Sequence, residues 1–110
     1  MGTDNAVIKG TLDLLILKVV SLASMHGWGI AQRIQAISED ALSVQQGSLY
    51  ASLHRLTREG WLESAWRDTD LGRRARFYGL TPAGRTQLEA EIEHWTRLSR
   101  GVARIVDATA

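Results

Sequence analysis

Apolar positions fall into four helical stretches, with one segment of different period between the third and the fourth. From Leu12 to Ala23 the chain is apolar at Leu12, Leu14, Leu15, Ile16, Leu17, Val19, Val20 and Leu22, with only Asp13, Lys18 and Ser21 intervening. With Thr11 as N-cap, this predicts a helix that is apolar nearly all round and so needs cover on two sides. A domain of this size struggles to supply both, so part of that cover is expected from another subunit. Ser24-Met25-His26-Gly27 breaks the pattern. Ile30, Ile34 and Ile37, at i, i+4 and i+7, predict a second helix from Trp28 to about Glu39 with a polar outer face. Leu49, Leu53 and Leu56 repeat that spacing in a third, from about Gly47 to Glu59, with Gly60 as its stop signal. At about 100° per residue, the side opposite those leucines carries Ser48, Ala51, His54, Arg55 and Arg58, flanked by Tyr50 and Ser52.

The period then drops from 3.6 to 2. Residues 61–66 and 75–80 are rich in aromatic side chains and bracket a polar, Gly-containing turn over 68–74, so they predict a β-hairpin. Thr81-Pro82 opens the last helix, with Thr as cap and Pro where its missing N–H costs nothing. Its apolar stripe is Leu88, Ile92, Trp95, Leu98, Val102, Ile105 and Val106. Glu89, Glu91 and Glu93 precede Arg97, Arg100 and Arg104, the order the helix dipole favours.

A chain of 110 residues suits one core. The division expected within it is a flexible stretch over 1–8, a compact unit over 9–81 and a C-terminal helix over 82–110. The 13 Lys+Arg and 12 Asp+Glu nearly cancel, so a polyanion must be held by a local patch rather than by net charge. Zero Cys excludes disulfides, thiolate metal sites and cysteine nucleophiles, and fits the cytoplasm. The longest apolar run falls short of the roughly 20 residues of a bilayer span, and no targeting segment is visible, so no membrane partner is expected.

Three helices followed by a hairpin is the order of a winged helix-turn-helix, in which the third helix enters the major groove. The fold class is therefore mainly α with a small β-hairpin, a winged helix-turn-helix with a long C-terminal helix. The chemistry agrees with the order. Eleven of the 13 basic residues are Arg, whose forked guanidinium suits guanine edges and phosphates. The expected contacts to double-stranded DNA are Ser48, Tyr50, Ser52, Arg55 and Arg58 on the third helix and Arg73, Arg74 and Arg76 on the hairpin. Near-zero net charge leaves a second reading, a winged-helix module that binds protein.

Enzyme chemistry finds no footing. His26, His54 and His94 lack metal-ligand spacing. Gly27-Trp28-Gly29 begins like a dinucleotide fingerprint, but Gln32 stands where the third glycine belongs and no strand precedes it. No nucleophile elbow or isolated acid pair is present, so neither catalysis nor a cofactor is expected.

The chain resembles the PadR-type transcriptional regulators. The matching stretches are Gly10 to Leu17, Met25-His26-Gly27-Trp28-Gly29-Ile30, Gln46-Gly47-Ser48-Leu49-Tyr50 through Leu53-His54-Arg55-Leu56 to Glu59-Gly60-Trp61, and Arg73 to Tyr78 with Leu80-Thr81 and Ala83-Gly84-Arg85. They run collinearly over about residues 8–106. The likeness is greatest to the short branch, whose C-terminal part is a single long helix. Ala51 stands where a proline is usual, and Gly79 where a bulkier side chain is common. The resemblance implies a dimeric winged-helix repressor whose last helix packs against the partner's first. That makes Leu12, Leu15, Ile16, Val19, Leu88, Ile92, Trp95, Val102, Ile105 and Val106 the dimerisation residues. Trp95 has two readings, an anchor of the dimer seam or the wall of a cavity for a small aromatic effector.

Overall fold

The computed structural model describes residues 11–110, so the stretch expected to be flexible, 1–8, lies outside the described residues. The element order is α1 (Thr11–Leu22), β1 (Met25–His26), α2 (Gly27–Ile37), α3 (Gln46–Arg58), β2 (Leu62–Asp68), β3 (Arg74–Leu80) and α4 (Pro82–Asp107). This is the mainly helical winged-helix architecture with a long last helix that the sequence predicts. Thr11, expected as a cap, is already helical.

Ile16 and Leu17 of α1, Ile30 and Ile34 of α2, Leu49, Leu53 and Leu56 of α3, Leu62 of β2, Tyr78 of β3 and Leu88 of α4 form one core. α1 lies at its centre, touched by α2, α3, β3 and α4 of the same chain. Much of the cover expected from a partner subunit is thus supplied within the protomer. Leu12, Ile16 and Val19 are buried there, whereas Leu15 is half-buried and Leu22 is 51% exposed. Among the described residues no helix is long and apolar enough to cross a membrane.

α2 ends two residues earlier than its periodicity suggests. Glu39 and Asp40 adopt left-handed backbone, at φ 54° and 66°. The Glu39 amide donates to Ala36 O and the Asp40 amide to Gln35 O, which satisfies two terminal carbonyls in a Schellman closure. α3 ends the same way, with Gly60 donating to Thr57 O and Trp61 to Leu56 O. Gly60 announces that ending in the sequence, whereas Glu39 does not.

The sheet has three strands in the order β1-β3-β2, all antiparallel. The hairpin predicted over 61–80 is there, from Leu62↔Leu80 to Asp68↔Arg74, with its tip closed by the Thr69 amide on Arg73 O at 2.6 Å. The third strand is additional. Met25 pairs with Tyr78 and His26 with Phe77, so the segment between α1 and α2 is stitched to the inner edge of the wing. Two residues are too few to show an alternation, and their partner lies some fifty positions away.

The start of α4 is fixed on three sides. Thr81 Oγ1 accepts from the Gly84 amide at 2.9 Å and donates to Gly60 O at 2.6 Å, while the Thr81 amide donates to Trp61 O at 3.2 Å. Gly84 lies so close to the Trp61 carbonyl that an added Cβ would overlap its oxygen. Backbone on both sides leaves little room to relax, so Gly84→Ala is expected to lower the unfolding free energy by about 1–3 kcal/mol. An unchanged urea midpoint would show that the contact does not hold α4 in place.

Candidate nucleic-acid interface

The alternation of β2 and β3 decides what the wing shows to α3. Ser64, Trp66, Arg74, Arg76 and Tyr78 share one side of the hairpin, because Ser64 opposes Tyr78 and Trp66 opposes Arg76 in the register. Arg76 Nε donates to Ser64 Oγ at 2.9 Å, and its guanidinium lies 5.6 Å from the centre of the Trp66 ring. The Arg74 guanidinium lies over the same ring at 5.9 Å. Trp66 thus holds two cations on one face of the wing by cation–π attraction.

Between this face and the helices runs a trough made of two cavities. One, of about 520 Å³, is enclosed by the start of α2, Tyr50 of α3 and the wing from Trp66 to Arg76. The other, of about 480 Å³, lies between His54, Thr57 and Arg58 of α3 and Ser64 and Arg76 of the wing. Both include Tyr50, Arg76 and Tyr78, so they are continuous, and neither contains a carboxylate. Burial raises the Tyr78 hydroxyl above its ordinary pKa against the opposing effect of Arg76, so it remains a neutral hydrogen-bonding group on the trough floor.

Tyr50 joins the two cavities because α2 starts on a residue without a side chain. A Cβ on Gly27 would come within 2.8 Å of the Tyr50 ring. His26 fixes the start of α2 by accepting the Gly29 amide on Nδ1 at 3.0 Å, and its ring meets Phe77 edge-on at 5.5 Å.

Residues 16–90 match the model of the transcriptional regulator PadR-like family. The chain belongs to this family. A transcriptional regulator of Mycobacterium tuberculosis is 36% identical over 94 residues, which cover 86% of this chain and 84% of that protein. The solved structure of a PadR-like transcriptional regulator from Bacillus cereus has a TM-score of 0.78 at 25% identity, covering 92% of this chain and 96% of that one. A Streptococcus mutans structure has a TM-score of 0.82 at 28% identity, covering 94% and 92%. As a PadR-family member the protein is a transcriptional regulator and not an enzyme.

In this PadR-family chain the residues expected to touch DNA divide into two groups. Ser48, Tyr50, Arg58, Arg73, Arg74 and Arg76 are exposed, and all but Ser48 line the trough. Ser52 and Arg55 are not available in the same way. Ser52 is buried, because it lies only about 60° from the centre of the leucine stripe. Arg55 faces α1, where its Nη2 donates to Asp13 Oδ1 at 2.7 Å. That hydrogen bond raises the Arg55 pKa above its ordinary value despite the opposing effect of burial. His54 and Thr57 on α3, His26 and Trp28 at the start of α2 and Trp66 on the wing line the trough without having been expected there. His54 could have been found from its place on the face opposite the leucines. Trp28 and Trp66 carry no such signal, since an aromatic residue reads first as core.

The expected dimerisation residues divide too. Leu12, Ile16, Val19 and Leu88 lie inside the protomer, and Leu15 is half-buried. Ile92, Trp95, Val102, Ile105 and Val106 are exposed, up to 79% at Ile105, and Leu98 continues their stripe.

The Arg55–Asp13 pair joins α3 to α1 across the core edge, so its removal should register in stability. A double-mutant cycle of Arg55→Ala and Asp13→Ala is expected to give a coupling of up to about 1 kcal/mol, reduced in high salt because the guanidinium is partly solvated. Arg58→Ala should leave the melting temperature unchanged. Zero coupling would mean that the pair does not position α3.

Proposed function

We propose that the protein is a ligand-responsive repressor that binds a palindromic operator as a homodimer. The observation that carries the DNA reading is the continuous, carboxylate-free trough between α3 and the wing, flanked by Arg58 at one end and by Arg73, Arg74 and Arg76 at the other. A polyanionic strand meets attraction along its whole length there, although the molecule carries a formal charge of only +1. Arg58 and His54 sit on the outermost side of α3 and serve base readout. Ser48 and Tyr50 serve the flanking phosphates, and the wing arginines hold the adjacent backbone. Arg55, engaged with Asp13, sets the angle of α3 rather than reading a base.

Support for the homodimer comes from α4. Ile92, Trp95, Leu98, Val102, Ile105 and Val106 form an exposed apolar stripe on a 26-residue helix, a face that water does not tolerate well unless a second surface covers it. A second copy offers an identical stripe, and two-fold pairing places two α3 helices for successive major grooves about 34 Å apart. In this reading Trp95, 44% exposed in that stripe, lines an effector cavity between subunits.

In a fluorescence polarisation titration with the promoter of its own transcription unit, affinity should fall steeply with salt. Arg73→Ala and Arg74→Ala should each flatten the log–log slope by about one. Salt-independent or absent binding would favour the module that binds protein. Val102→Glu, at the middle of the stripe, should convert a sedimenting dimer to monomer while α-helical circular dichroism persists. A monomeric wild type would overturn the dimer.

A further inference from the structure

The rings at the α2 end of the trough match a surface that a duplex keeps hidden. Trp28 and Trp66, 38 residues apart in sequence, both line this cavity and are 57% and 56% exposed. Tyr50, 45% exposed, is a third ring in the same lining. Both indoles have ordered neighbours although neither is buried. Trp28 stacks on His26 at 6.2 Å between ring centres and 19° between planes, and His26 is held in turn by the Gly29 amide and by the edge of Phe77. Trp66 lies under the guanidinium groups of Arg74 and Arg76. Rings ordered in this way lose little freedom when a flat partner arrives, and covering their open faces is favourable. Cations stand beside them, with Arg73, Arg74 and Arg76 in the same cavity and Arg58 in the adjoining one, while Asp68, opposite Arg74 in the register, lies outside both linings. Double-stranded DNA offers base edges and phosphates, but its base faces are stacked inside the helix. An unpaired strand exposes a π face on every base and a charge on every phosphate.

We propose that the trough is a binding site for single-stranded nucleic acid, with bases stacked at Trp28, Trp66 and Tyr50 and the sugar–phosphate chain running along Arg73, Arg74, Arg76 and Arg58. Because every base has a π face, such binding tolerates any sequence. The cavities of about 520 and 480 Å³ are continuous, so bases seated in one and backbone crossing the other belong to a single strand. Strand and duplex share the arginines but not the rings. Trp66 serves both, since it positions Arg74 and Arg76, whereas Trp28 serves the unpaired strand alone. This activity goes beyond the reading of the protein as an operator-binding repressor and does not depend on it.

Fluorescence polarisation on the full chain tests the site with four labelled probes of equal length, about twelve nucleotides, which lies inside the range of single-strand sites. They are oligothymidylate, oligouridylate, a strand of abasic deoxyribose phosphates and a duplex of unrelated sequence. Saturable, salt-sensitive binding of either pyrimidine strand supports the site, and the tighter of the two assigns DNA or RNA as its source. The abasic strand carries the same charge without bases, so it should bind the unaltered protein about tenfold more weakly than oligothymidylate, a comparison that needs no variant to fold. Trp28→Ala should weaken the pyrimidine strand about tenfold, in the range of one lost base stack, and leave the duplex within about twofold. Trp28→Phe should restore most of the lost affinity. Trp66→Ala should weaken strand and duplex together. Equal binding of the abasic strand and oligothymidylate overturns the proposal, as does failure of both pyrimidine strands to saturate. So does a Trp28→Ala protein that binds oligothymidylate as well as the wild type, or that loses strand and duplex alike. Loss of operator binding with intact single-strand binding would count against the duplex reading alone, and the reverse against this site alone.

Discussion

Burial of α1 constrains everything else in the molecule. Its side chains are apolar on almost every side, and α2, α3, β3 and α4 each take one of those sides. Moving any of the four would expose aliphatic surface worth about 25 cal/mol per Å². The orientation of α3 relative to α4 is therefore set through a helix whose Ile16, Leu17, Val19 and Val20 are buried in the core. Asp13, one of the few polar residues of α1, fixes the remaining freedom by holding Arg55 of α3. In the proposed dimer the separation of the two α3 helices would depend on that angle, because α4 carries the exposed apolar stripe.

The wing is tied to the same frame by β1. A free two-stranded ribbon is marginally stable and twists readily. Pairing of Met25 with Tyr78 and of His26 with Phe77 anchors the inner strand, and His26 also caps α2. One imidazole thus links the sheet to the helix that walls the trough. Its Nδ1 accepts a hydrogen bond, so the ring proton of the neutral form lies on Nε2.

Electrostatics in this protein is a matter of placement. Acids and bases balance overall, yet Arg58, Arg73, Arg74 and Arg76 gather along a trough without a carboxylate. At physiological ionic strength fields fade over about 8 Å, so distant acids weigh little against these arginines, whereas Asp68, directly opposite Arg74 in the register, is close enough to count. Trp66 makes that gathering tolerable before any anion arrives, by presenting its ring face to two guanidinium groups.

Periodicity determined the helices, the hairpin and the last helix, because burial of one face leaves a 3.6 or a 2.0 repeat that needs no knowledge of the partner. It also determined the double Arg at the wing tip and the stripe on α4. It did not determine what stands beside each flank of α3. Ser52 and Arg55 fall on the side that meets α1, while Tyr50 and Thr57 fall on the side that meets the wing. A helical wheel treats those flanks as equivalent. Likewise the all-apolar α1 read as a surface needing a second subunit, since a sequence gives the width of an apolar face but not the number of neighbours within the same chain. β1 and the Trp28 and Trp66 cavity were hidden for the same reason: each exists only through pairing or convergence of residues distant along the chain, and such contacts leave no local repeat.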